Sequence, residues 1–148
     1  MSAPDSDPDF RVAGLSVWVE GREFEEVQDY WDGNWLKVVA TCASPGAKVE
    51  AAGPILHLSE LASFLGECQT LSERLEGAAQ LDCMEGNLQV SLEFSDGQGN
   101  IEASISLTPD PLTEEHAFVF AIDQSHLPFI LRGLQAVLER FPIRGTPD

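Results

Sequence analysis

Leu88, Val90, Leu92 and Phe94 alternate with Gln89, Ser91 and Glu93, and Ile101, Ala103, Ile105 and Leu107 alternate with Glu102, Ser104 and Ser106. A period of two, broken by the turn-forming runs Glu85-Gly86-Asn87 and Asp96–Asn100, predicts an antiparallel meander with one wet face. Ala79–Cys83 carries the alternation upstream, and His116–Ile122 adds a fourth strand beyond the loop Thr108–Glu115. Closer to the N-terminus, Phe10–Glu20 is rich in β-formers, with an irregularity at Gly14. Trp35–Thr41 is apolar on much of both faces, as a central strand would be. Ser44-Pro45-Gly46 then turns the chain into a weaker strand, Ala47–Ala52, and Gly53-Pro54 interrupts it before Ile55–Leu58.

Two stretches change the period to that of a helix. Leu61, Phe64, Leu65, Cys68 and Leu71 recur at helical spacing behind Ser59, a good N-cap, and Glu60 suits a first turn. This helix is expected to end before Gly77. Leu127, Ile130, Leu131, Leu134, Val137, Leu138 and Phe141 form a second stripe, opened by Asp123 or Ser125 and closed by Pro142. Pro128 is tolerable there only in the first turn. The pattern predicts an α+β fold, an antiparallel β-sheet of six or seven strands with two α-helices packed on one face. Residues 10–142 read as a single domain, residues 1–9 as a disordered acidic tail and residues 143–148 as a C-terminal tail.

Composition narrows the class. A chain of 148 residues, 43% of them apolar, can bury a two-layer core without staples. No apolar run is long enough to span a bilayer, and MSAPDSDPDF lacks the basic and apolar parts of a signal peptide. The expectation is a cytoplasmic protein that does not engage membranes. A net charge of −17 repels nucleic acid and makes direct nucleic-acid binding untenable. The same charge serves solubility, or a surface complementary to a basic partner. Cys42, Cys68 and Cys83 show no C-x-x-C spacing and read as buried free thiols.

Candidate chemistry is sparse. Asp5, Asp7 and Asp9 imitate the start of a calcium loop, but Phe10 stands where glycine is needed and Ser16 where the bidentate glutamate belongs. His57, His116 and His126 are scattered, and no second ligand is spaced to join any of them. Ser125 beside His126 suits capping better than catalysis. Paired carboxylates such as Glu25-Glu26 and Glu114-Glu115 are expected in so acidic a chain. Neither a catalytic residue, a metal site nor a cofactor is expected.

One stretch stands apart. Tyr30-Trp31-Asp32-Gly33-Asn34-Trp35-Leu36 places two of the three tryptophans and the single tyrosine around an Asp-Gly-Asn turn. Trp31 and Trp35 either seal one end of the core or belong to a rim that grips a partner. The candidate partner-binding residues are Glu25, Glu26, Asp29, Tyr30, Trp31 and Asp32.

Taken with Glu60-Leu61-x-x-Phe64-Leu65, Glu85-Gly86-Asn87-Leu88 and the closing Asp123-Gln124 … Phe141-Pro142, the Trp31–Leu36 motif resembles the WapI-type immunity protein family over roughly residues 30–142. These are small bacterial proteins, usually encoded beside toxins of polymorphic or contact-dependent systems. The resemblance implies a non-enzymatic protein that binds and neutralises a cognate toxin, often a nuclease, whose basic groove an acidic surface would fit. It supplies no contact residues and no oligomeric state. The rival readings are a general protein-binding or adaptor module, self-associating or not, and a small hydrolase using carboxylates. A toxin gene alongside favours the first reading; a deep pocket with perturbed carboxylates favours the last.

Overall fold

The computed structural model describes residues 3–147. Strands β1 (Phe10–Val12), β2 (Leu15–Arg22), β3 (Trp35–Ser44) and β4 (Ala47–His57) precede helix α1 (Leu58–Arg74). Strands β5 (Ala78–Asp82), β6 (Leu88–Phe94), β7 (Asn100–Leu107) and β8 (Ala117–Asp123) follow, and a short 3-10 turn at Gln124–His126 leads into α2 (Leu127–Arg140). The α+β class is therefore as expected. The single sheet of six or seven strands is not: there are two four-stranded antiparallel sheets, ordered β1-β2-β3-β4 and β5-β6-β7-β8. Alternation identifies strands and their wet faces but not which strand pairs with which. Here α1 intervenes between β4 and β5, and the chain begins a second sheet beyond it.

Both sheets turn their apolar residues into one core, which β3 and β4 close against β7. α1 packs beside β5 and α2 beside β1, and the two helices touch. The expected stripe of α2 is buried at Leu127, Ile130, Leu134 and Val137, with Leu131, Leu138 and Phe141 packed at its margin. Pro128 lies in its first turn, as required.

Two local readings change. Gly53-Pro54 does not interrupt β4, which runs through to His57. The register slips there, from Leu36↔Leu56 to Val38↔Gly53, and Gly53 takes φ = 140° at the bulge. β4 is an edge strand, where a proline without an N–H costs little. The irregularity at Gly14 separates β1 from β2 as a hairpin. A side chain at Gly14 would sit 2.3 Å from the Ala43 carbonyl and 2.5 Å from the Phe120 ring, so this turn joins β3 to the far sheet through backbone approach.

The segment before β1, expected as a disordered tail, lies along β2. The Trp18 indole donates to the Ser6 carbonyl (2.8 Å), and Val19 N–H donates to the Asp9 carboxylate (2.6 Å). Arg140 of α2 pairs with the same carboxylate at 3.2 Å. Residues 1, 2 and 148, the extreme ends of the two expected tails, lie outside the described residues.

Candidate functional site

Between β2 and β3 the chain from Glu23 to Asn34 forms no helix or strand, yet a buried polar network fixes it. Arg22, at the end of β2, is buried and donates to the carbonyls of Gly33 (2.7 Å) and Pro142 and to the Asn34 side-chain oxygen (3.1 Å). Asn34 is fully buried. Its amide nitrogen donates to the carbonyls of Tyr30 (2.7 Å) and Arg144 (2.8 Å), and its oxygen also accepts from Arg144 N–H (2.9 Å). The Arg144 guanidinium completes the clamp on the carbonyls of Glu25 (2.8 Å) and Val27 (2.9 Å). The C-terminal segment thus fastens the loop by Arg144. Burial, with the charge of Arg144 nearby, holds Arg22 below the usual guanidinium range.

On this base the loop presents its side chains. The Asp29 carboxylate accepts from Asp32 N–H (2.7 Å) and Gly33 N–H (3.1 Å), so it shapes the turn. The rings of Tyr30 and Trp31 meet edge to face at 4.9 Å, and Trp31 is 52% exposed. His57 lies fully buried beneath them, 5.6 Å from the Tyr30 ring and 4.9 Å from that of Trp35. Its Nδ1 accepts from Ser59 N–H (3.2 Å), which leaves Nε2 to donate to the Trp31 carbonyl (3.1 Å). His57, rather than the expected Ser59, is the N-cap of α1, and Glu60 closes the capping box on His57 N–H (2.9 Å). One histidine therefore both starts the helix and holds the aromatic loop.

Tyr30 and Trp31 form one wall of an open groove of about 480 Å³. Ser59 and Ser63 of α1 lie along it, and Gln80, Asp82 and Met84 face the aromatics. Met84 is 60% exposed. Glu60 ties the two sides together, since its second oxygen accepts from Met84 N–H (2.7 Å). All six expected partner-binding residues sit on the same short loop: Glu25, Glu26, Asp29, Trp31 and Asp32 are exposed and Tyr30 is half-buried. Only Tyr30 and Trp31 line the groove. Asp82, Met84 and the flank of α1 were missed, because nothing in the pattern announces that the end of β5 comes beside residue 31. Trp35, half-buried against His57, belongs to the support.

Ahead of α2, Asp123, Ser125 and His126 serve the fold as a cap. Asp123 accepts from Ser125 N–H (2.9 Å) and from the Ser125 hydroxyl, and the His126 ring lies 3.4 Å from the same carboxylate. The serine hydroxyl holds the Asp123 carboxyl below its usual range. Here serine and histidine both turn to the aspartate, whereas a catalytic triad needs serine against histidine. Burial pushes the Cys42 thiol up to about 11 and Cys68 to about 12; Cys83 rises further, with Glu60 adding to its burial. All three are buried free thiols. No helix of the described residues is long and apolar enough to cross a membrane.

The architecture is that of a small α+β domain, with an open groove walled by aromatic residues on a polar network. The chain belongs to the immunity protein WapI-like family, whose model matches residues 9–142. That span takes in all eight strands and both helices. No curated protein and no solved structure matches it. Membership fits a protein that binds and neutralises a cognate toxin.

Proposed function

We propose that this protein neutralises a basic toxin domain, of the nuclease class, by binding it stoichiometrically and without chemistry of its own. The loop bearing Glu25, Glu26, Tyr30, Trp31 and Asp32 supplies the aromatic anchor and its charged rim. The observation that carries this reading is Trp31. A large apolar ring stands half in water, yet its backbone is fixed by His57 and its loop by Arg22, Asn34 and Arg144. An exposed side chain normally loses entropy on binding; one held in place loses less, and tryptophan is enriched among residues that dominate interfaces. The acidic rim then attracts the groove with which a nuclease holds phosphates. On this reading the protein works in the cytoplasm, where the toxin acts.

Charge reversal separates the rim from the anchor. Replacing Glu25, Glu26 and Asp32 by lysine leaves the turn intact, because Asp29 alone of these acids accepts its backbone N–H groups. Association with the cognate toxin is expected to slow by about tenfold at low salt, with dissociation little changed. Raising the salt should erase the difference. An association rate equal to that of the wild type, measured by stopped-flow, would move the contact to another face.

A further inference from the structure

Three of the four sheet edges are covered or blunted. β1 is three residues long and lies beside α2. β4 carries Lys48, Glu50, Pro54 and a bulge, devices that keep an edge from pairing with another chain. β5 runs beside α1, and Glu67 accepts from the outward Gln80 N–H at 2.9 Å. Among the described residues β8 has none of these protections. It reads Ala-Phe-Val-Phe-Ala-Ile-Asp, without proline or lysine, and none of its residues is buried.

The hydrogen bonds at its two ends define the free side. Leu107 N–H donates to the His116 carbonyl and Gln124 N–H to the Gly99 carbonyl. By antiparallel alternation, even-numbered residues from 116 to 124 bond to β7, so the N–H and C=O groups of Ala117, Val119 and Ala121 point away from it. That free edge borders a trough of about 330 Å³ on the wet face, bottomed by small residues including Ser91, Ser104 and Ser106. Gln80 and Asp82 line both this trough and the aromatic groove, so one continuous surface runs from Trp31 to Val119.

Charge selects the occupant. Between Arg74 and Arg132 the chain has ten acidic residues and no lysine or arginine, so the second sheet and its loops carry acids with no base among them. Glu93 and Glu102 stand directly opposite each other across β6 and β7, an arrangement that weakens a sheet unless a cation relieves it. In the same row Ala121 adjoins Glu102. A lysine or arginine on a strand added beside β8 can reach over that methyl group to the carboxylate. Val119, 68% exposed, offers an apolar neighbour one row away. A second copy would instead bring the same acidic sheet against itself. We infer that β8 is a strand-addition edge that pairs with a β-strand of a basic protein partner, an apolar residue lying beside Val119 and a basic one beside Ala121. That the partner is the toxin rests on the function proposed above; the open edge does not.

Amide exchange of the wild-type protein, with and without partner, tests this inference. In the toxin complex the amides of Ala117, Val119 and Ala121 should gain protection of about tenfold or more, an alternating pattern that marks a new strand. Val119→Pro removes an N–H that β7 does not use, and should weaken binding by about tenfold while Val119→Thr does not. Three amides exchanging at the free rate in a formed complex would overturn the inference. So would a concentration-dependent dimer of the protein alone that Val119→Pro abolishes. A soluble peptide of alternating lysine and valine probes the edge without any toxin. Protection of the same three amides by the peptide, where the toxin does not bind, would uphold the edge and remove the toxin reading; no protection by either would refute the edge.

Discussion

Asn34→Leu is expected to lower the stability of the fold by about 3–5 kcal/mol, because it strands several buried polar groups at once. The asparagine amide satisfies the carbonyls of Tyr30 and Arg144, the N–H of Arg144 and one nitrogen of Arg22, and Asn34 and Arg22 are themselves buried. Leucine is close in volume, so packing alone predicts a small effect. The loss arises from desolvated polar groups that each lose a partner, among them one N–H of the buried Arg22 guanidinium, which keeps the carbonyls of Gly33 and Pro142. Urea unfolding measures it directly. A change below about 1 kcal/mol would mean that the network is dispensable and that the loop is held by its apolar contacts.

Trp31→Ala is expected to behave the other way round. Half of the ring is already in water, so unfolding should shift little. Affinity for the toxin should fall by about 2 kcal/mol, roughly 30-fold, mostly through faster dissociation. Trp31→Phe should retain much of it. Together the two substitutions separate platform from anchor: Asn34 changes stability first, Trp31 changes binding first. If Trp31→Ala unfolded the protein and left binding per folded molecule unchanged, Trp31 would be one more core residue.

The contrast between these residues also marks what the chain discloses on its own. The meander from Ala79 to Ile122 is visible because alternation is local, and the register Leu88↔Leu107 and Val90↔Ile105 keeps those apolar residues on one face. The stripe of α2 is visible for the same reason. The division into two sheets is not, since strand pairing is decided by contacts between distant segments. His57 looked like an isolated histidine because its role as cap and as floor for Trp31 joins residues 26 positions apart. Asn34 read as a turn residue, and its partners Arg22 and Arg144 gave no local sign. The same holds for the open edge. The pattern predicts a strand over His116–Ile122, but being left unpaired on one side is a property of the whole sheet.

The charge is legible as a total and misleading as a distribution. Acids occur throughout the chain, whereas the bases avoid the second sheet altogether.

Stoichiometry bears most directly on the proposed function. A fixed amount of the cognate toxin domain is titrated with this protein, and residual toxin activity is followed. A toxin held in a tight one-to-one complex loses activity in a straight line that reaches zero at one equivalent. Complete inactivation by a small fraction of an equivalent would reveal turnover, and full activity in the presence of excess protein would show that the toxin is not its target.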